Sequence, residues 1–155
     1  MPSHPVDFQL QAHFYATPEL MAVFDEQRRM NRWLQVEGAL ARAQGELGVI
    51  PAEAAREIAA RADLAQLDLE QIRAEYLVSR NSLLPVLKAL RQACAGDCGQ
   101  YVHFGATTQD ILDTAQVLEL RETLQIIYRD LRRLEELLLA LSSTHRNTPM
   151  IGRTH

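Results

Sequence analysis

The densest run of chemistry-bearing residues is Tyr101-Val-His-Phe-Gly-Ala-Thr-Thr-Gln-Asp110, continuing into Ile111-Leu-Asp-Thr-Ala115. Gly105 permits a sharp turn or a close backbone approach. Thr107 or Thr108 suits the cap of a following helix, with Asp110 favourable in its first turn. Helix starts carry free N–H groups that bind carboxylates or phosphates. The run reads either as an anion-binding turn or as the polar entrance of an ordinary capped helix. A second polar cluster is Gly152-Arg-Thr-His155. Arg153 offers a planar fork of donors that matches a carboxylate. His155 is suited to proton transfer near neutral pH, or is a terminal residue with no fixed role. Cys94, Cys98 and His103 would make three zinc ligands where a structural site wants four, so the thiols read as free. The chain has no phosphate loop, nucleophile elbow or His-Glu-x-x-His motif.

The elements that must position these residues are all helical. After an irregular lead-in over residues 1–16, Thr17-Pro18-Glu19 opens a short helix running to about Phe24. Asp25 caps a second, ending near Leu47 with Gly48 as its stop. Pro51 starts a third, to about Ala62. Asp68 caps a fourth, to about Val78. Asn81 or Ser82 caps a fifth that ends near Ala93. Ala95-Gly-Asp-Cys-Gly99 is a loop, and residues 100–107 read as extended. From Asp110 to about Ser142 no proline or glycine interrupts the helical pattern. Such a helix is roughly 50 Å long, against a diameter of about 40 Å for a globule of this chain length. Leu120, Leu124, Ile127, Leu131, Leu134 and Leu138 form one apolar face, while Ile111, Ala115 and Leu118 point to the opposite side. A helix apolar on two sides needs cover on both, from another subunit or from further chain.

The second helix carries Met30, Trp33, Leu34, Leu40, Ala41 and Leu47 at helical spacing, with Glu37 inside the stripe. A buried carboxylate needs a partner or a raised pKa. Glu37 reads as a paired carboxylate fixing helix packing, with an arginine as the expected partner, in preference to a catalytic acid or base.

The chain of 155 residues has a net charge of −4, and its basic residues are scattered. That balance argues against nucleic-acid binding by phosphate neutralisation. No apolar run approaches the ~20 residues that span a membrane, and the N-terminus lacks the charged and apolar regions of a signal peptide. The expected compartment is cytoplasmic.

His103-Phe-Gly-Ala-Thr-Thr-Gln-Asp110 with Asp113-Thr-Ala115 resembles the first signature region of the fumarase/aspartase superfamily, in the branch of 3-carboxy-cis,cis-muconate cycloisomerase and adenylosuccinate lyase. Glu37-Gly-Ala-Leu-Ala-Arg-Ala43, ending Leu47-Gly-Val-Ile-Pro51, is similar to that branch's N-terminal helix and turn. Asn81-Ser-Leu-Leu-Pro-Val-Leu-Lys-Ala89 resembles the cycloisomerase form of the next helix. Thr148-Pro-Met-Ile-Gly-Arg-Thr-His155 resembles the second signature region. Together these stretches extend the resemblance over residues 14–155.

The resemblance implies an all-α fold: an N-terminal helical domain over residues 1–109, then the first long helix of a central bundle over residues 110–155, truncated. It implies a lyase that cleaves a C–N or C–O bond beta to a carboxylate and releases fumarate, or the related cycloisomerase. By position, Thr107, Thr108, Gln109, Arg153 and Thr154 bind substrate, and His155 assists proton transfer as the catalytic residue. No metal and no cofactor is implied; the partners are a small carboxylate-bearing substrate and copies of the chain, a homotetramer in which three subunits build each site. Two departures point in different directions. Cycloisomerases of the bacterial branch carry tryptophan where His155 stands, whereas adenylosuccinate lyases carry a further histidine where this chain has Arg80-Asn81-Ser82. The superfamily's third signature, a Gly/Ser-rich loop with the catalytic serine, falls beyond residue 155, so the chain is expected to be an N-terminal piece, inactive alone. The alternative from a different class is a non-catalytic helical interaction module derived from the family.

Overall fold

The computed structural model describes residues 10–154, and the described residues contain helices and turns without a strand. The helices are α1 (Pro18–Val23), α2 (Glu26–Glu46), α3 (Ala52–Arg61), α4 (Leu69–Ser79), α5 (Leu84–Ala93) and α6 (Thr108–His145). Short 3-10 turns occur at Ala12–Phe14, Leu64–Gln66 and Cys98–Tyr101. The lead-in expected over residues 1–16 is described only from residue 10, and residues 1–9 lie outside the described part.

The starts follow from local chemistry. The Thr17 hydroxyl accepts the Leu20 N–H at 3.2 Å, and Asp25 accepts the Arg28 N–H at 2.9 Å. Asp68 caps α4 through the N–H groups of Glu70 and Gln71. Asn81 Oδ1 accepts from both Leu83 and Leu84, at 3.0 and 2.9 Å, which turns the chain into α5. Each side chain satisfies donors that have no partner inside the helix.

The apolar stripes of α2, α3 and α5 close on one another. Leu34, Ile58, Leu83, Leu87 and Leu90 are fully buried, joined by Ile111 from the first turn of α6. Trp33, Leu40, Tyr101 and Leu112 pack around that core half-buried. Burial of this kind is the main favourable term in folding.

The segment before α6 departs from the extended reading of residues 100–107. A 3-10 turn at Cys98–Tyr101 is followed by a tight reversal in which His103 and Gly105 take positive φ values of 64° and 68°. Left-handed backbone is uncommon outside glycine, and a lone histidine gives only a weak signal for it.

Helix α6 is 38 residues long, a few residues longer at each end than its pattern suggested. Its first half is fixed to α2 by ion pairs. Arg32, itself buried, donates to Glu119 at 3.4 Å, to Glu122 at 3.0 Å and to the Val23 carbonyl at 2.8 Å. Arg29 meets Glu119 at 3.2 Å and Arg28 meets Glu122 at 2.5 Å. Farther along, Arg129 forms a two-pronged pair with Glu19 of α1, both contacts 2.9 Å. Ile111 and Ala115 are buried beneath this contact, whereas every residue from Ile127 to Thr154 is exposed. The two apolar sides read from the sequence are therefore one covered side and one bare side.

Replacing Arg32 by alanine leaves Glu119 buried with only the half-exposed Arg29 for a partner. The expected loss is about 3–5 kcal/mol of unfolding free energy, read from the denaturant midpoint. A triple substitution, Arg32→Met with Glu119→Leu and Glu122→Leu, is expected to recover most of it. An alanine variant as stable as the parent would show that the cluster does not anchor α6.

Candidate active site

The site begins with how helices grip the turn before α6. Glu37 and Gln44 lie seven residues apart on α2, two turns along one face. Gln44 Nε2 donates to the Phe104 carbonyl at 2.7 Å, and the Glu37 carboxyl shares a 2.6 Å hydrogen bond with Nδ1 of His103. From α5, Arg91 donates to the Val102 carbonyl at 3.4 Å. Three consecutive residues are thus held by two helices. A Cβ on Gly99 would lie 2.3 Å from the Arg91 carbonyl oxygen, so only glycine lets the 3-10 turn seat this closely on α5. Gly105 takes its positive φ freely, but left-handed backbone at His103 costs about 1–2 kcal/mol. A hydrogen bond involving a charged group contributes about 1.5–3 kcal/mol, enough to hold the histidine there.

Glu37 is 1% exposed. Its partner is His103, not the arginine that the sequence suggested; Arg91 acts on it only through longer-range attraction. The sequence puts the residue in the stripe but does not reveal which loop folds back over it. Burial pushes the Glu37 carboxyl above its ordinary value of 4.5, and the hydrogen bond and attraction from His103 pull it part of the way back.

The turn delivers the chain to α6 with Thr107 as N-cap. Thr107 and Asp110 form a capping box, in which the Asp110 carboxylate accepts the Thr107 N–H at 2.9 Å. Thr114 Oγ1 donates to the Asp110 carbonyl at 2.6 Å, and the Gln109 amide donates to Asp113. Thr107 and Gln109 are exposed and Thr108 is half-buried. At a helix start the N–H groups of Thr108 and Gln109 meet no intrahelical carbonyl. The first turn of α6 thus carries two hydroxyls and an amide beside the positive end of a long helix dipole, chemistry suited to a carboxylate. On the same face of α6, one turn beyond Thr108, a cleft of about 320 Å³ opens among Trp33, Ser82, Leu112 and Gln116.

Thr107, Thr108 and Gln109 are brought together, whereas Arg153 and Thr154 are exposed past the other end of α6. The 38 residues between these ends span about 57 Å. His155 lies outside the described residues. Cys94 and Cys98 are free thiols, and burial pushes Cys94 up to about 11. Among the described residues no three His, Cys, Asp or Glu side chains gather as metal ligands, and His103 turns to Glu37. The contributors that sequence reasoning missed are His103, Gln44 and Arg91. The available signal was Gln44, a second polar residue two turns from Glu37 on the same helix face.

A family model described as Lyase matches residues 13–155. N-acetyl-S-(2-succino)cysteine lyase of Dickeya dadantii is 44% identical over all 155 residues, which cover 34% of that protein. Adenylosuccinate lyase of Methanothermobacter thermautotrophicus is 42% identical, again over the whole chain and 33% of the relative. The crystal structure of 3-carboxy-cis,cis-muconate lactonizing enzyme from Pseudomonas putida superimposes with a TM-score of 0.86 at 33% identity, over 95% of this chain and 34% of that one. The chain spans about a third of the length of the relatives it matches.

The raised Glu37 carboxyl has a consequence for stability. The folded state binds this proton more tightly than the unfolded state, so the contribution is fully present below the ordinary value of 4.5 and is lost as pH rises through the raised value. Glu37→Gln carries no such proton. Its unfolding free energy minus that of the parent is expected to increase with pH above 4.5 and then level off, in denaturant titrations between about pH 4 and 8. A flat or falling difference would contradict the raised value.

Proposed function

The chain belongs to the lyase family of the fumarase/aspartase superfamily, and from that premise we propose that it forms part of an enzyme that eliminates across the Cα–Cβ bond of a succinyl-bearing substrate. The observation that carries the reading is the donor-rich first turn of α6, where Thr107, Thr108 and Gln109 surround a helix N-terminus. The substrate class comes from the relatives' names, succinocysteine and adenylosuccinate, which share a succinyl group on a leaving sulfur or nitrogen.

In this reading the first turn of α6 binds one substrate carboxylate. A base takes the Cβ proton, and negative charge develops as an aci-carboxylate that oriented donors stabilise more strongly than the ground state. The bond to the leaving group then breaks, the leaving group takes up a proton with help from His155, and fumarate departs. Arg153 and Thr154 bind another part of the same ligand, and the cleft beside Trp33 and Ser82 holds the leaving group. The abstracting base belongs to a part of the whole protein outside these 155 residues.

Because α6 separates the two clusters, a shared site requires that they come from different copies of the chain. The domain division read between residues 109 and 110 lies within the first turn of α6, and α6 opens a central bundle of a cytoplasmic homotetramer. The bare apolar face from Leu120 to Leu138 supports that assembly. A non-catalytic helical module is the less favoured reading, since the relatives carry enzyme names.

In the whole protein, Thr108→Ala is expected to lower turnover by about 10²–10³, and His155→Ala by about 10²–10⁴. The assay is release of an unsaturated dicarboxylate followed by its ultraviolet absorption. Mixing the two inactive variants under conditions of subunit exchange should restore part of the activity. No recovery despite proven exchange would refute the shared site, and full turnover in Thr108→Ala would refute the role of the turn. Sedimentation of the 155-residue chain should show oligomers; a monomer with a cooperative melt would overturn the assembly.

A further inference from the structure

Glu37 is buried and bonded, and no step of the proposed elimination uses it. We infer that Glu37 is a positioning residue: through His103 it holds the left-handed backbone from which Thr107, Thr108 and Gln109 are presented, so that carboxylate binding by these donors depends on the protonation of the Glu37–His103 pair. The inference rests on the carboxylate-binding reading of the turn and adds to it a group that does not touch the ligand.

The geometry makes the connection short. His103 has a φ of 64° and bonds to Glu37 at 2.6 Å. Its own carbonyl accepts the Ala106 N–H at 3.5 Å, and Thr107 is the next residue. The only chain between the pair and the donors is therefore a single β-turn. Gln44, from the same helix as Glu37, holds the Phe104 carbonyl of that turn at 2.7 Å. The pair's other surroundings are fixed, because α2 is bound to α6 through Arg32 and is packed on the core through Leu34 and Ala41. A change in the His103 backbone has three residues to cross before the N-cap, Phe104 held by Gln44, then Gly105 and Ala106.

The chemistry gives the change a direction. With the carboxyl ionised, Nδ1–H of His103 donates to it whether the ring is neutral or charged. With the carboxyl protonated and the ring neutral, the O–H donates to Nδ1 instead. Only when both groups hold their protons is the carboxylate lost while the ring is charged, and the ring N–H then meets the neutral carbonyl oxygen of the carboxyl, a weaker acceptor than the carboxylate. The charged groups that face the carboxyl are His103 from the turn and Arg91 from α5; both favour ionisation, and burial opposes them. Loosening of the turn is thus an acid event: the restraint on His103 weakens, while Gln44 and Arg91 keep their hold on the Phe104 and Val102 carbonyls.

The experiment is an NMR pH titration of the amides of Thr107, Thr108 and Gln109, beside the His103 ring resonances. Asp110 and Asp113 titrate next to these amides in every variant, so the readout is the component that follows the ring. In the parent, the three amides are expected to move with the ring on the acid side. Glu37→Gln offers the same neutral acceptor at every pH and should abolish that component. His103→Gly adopts left-handed backbone unaided and should abolish it too. Amides that titrate identically in the parent and in Glu37→Gln, or that do not follow the ring in the parent, would overturn the inference. In the whole protein, Glu37→Leu is expected to raise KM for the dicarboxylate substrate roughly tenfold with a smaller change in kcat, and Glu37→Gln to flatten the acid limb of the KM profile. A merely structural role would instead reduce the active fraction and leave KM unmoved, and that result would also overturn it. Failure of the elimination reading is seen separately, as full turnover in Thr108→Ala, and leaves the amide titration to judge the pair by itself.

Discussion

The burial of charge along one face of α2 is the constraint on which the rest of the structure depends. A 38-residue helix must be held at one end by helices much shorter than itself. Apolar contact alone supplies only the small patch around Ile111 and Ala115. Arg32 completes the contact from inside, with its guanidinium shared among Glu119, Glu122 and the Val23 carbonyl. Removing such a group from water is costly unless its donors are met, and here three acceptors meet them. The planar fork of arginine fits that geometry, where the compact ammonium of lysine would not.

The same helix performs a second task farther along. Glu37 and Gln44 reach across to His103 and Phe104, so one rigid element sets both the direction of α6 and the shape of the turn that begins it. This explains how a loop of small and polar residues keeps two left-handed positions so close together. It also explains why the donors of the first helical turn are pre-arranged. Their geometry is inherited from α2 and α5, which hold the turn that precedes them.

The remainder of α6 shows what this anchoring leaves undone. Beyond Ile126 no side chain is covered, and Leu131, Leu134 and Leu138 line one bare side. Contiguous exposed apolar surface of this extent marks an interaction face. One helix therefore carries a capped, hydroxyl-bearing N-terminus and, in its far half, an uncovered apolar face.

Much of this was legible from the residues themselves. Thr17, Asp25, Asp68 and Asn81 act locally, on N–H groups two or three residues away, and so the helix starts could be read from the order of residues alone. The apolar spacing of α2 and the uninterrupted run of α6 likewise determined which faces are sticky and that one helix outgrows its neighbours. The cap at Thr107 was visible for the same reason, since capping is a short-range property. What tertiary structure alone decided were the pairings at long separation: Glu37 with His103, 66 residues apart, and Arg32 with Glu119, 87 residues apart. A buried carboxylate announces its need for a partner but not the partner's identity, because that depends on which loop the packing of α2, α3 and α5 brings over it. Left-handed backbone at His103 was hidden for the same physical reason: it is imposed by the contact, not by the residue.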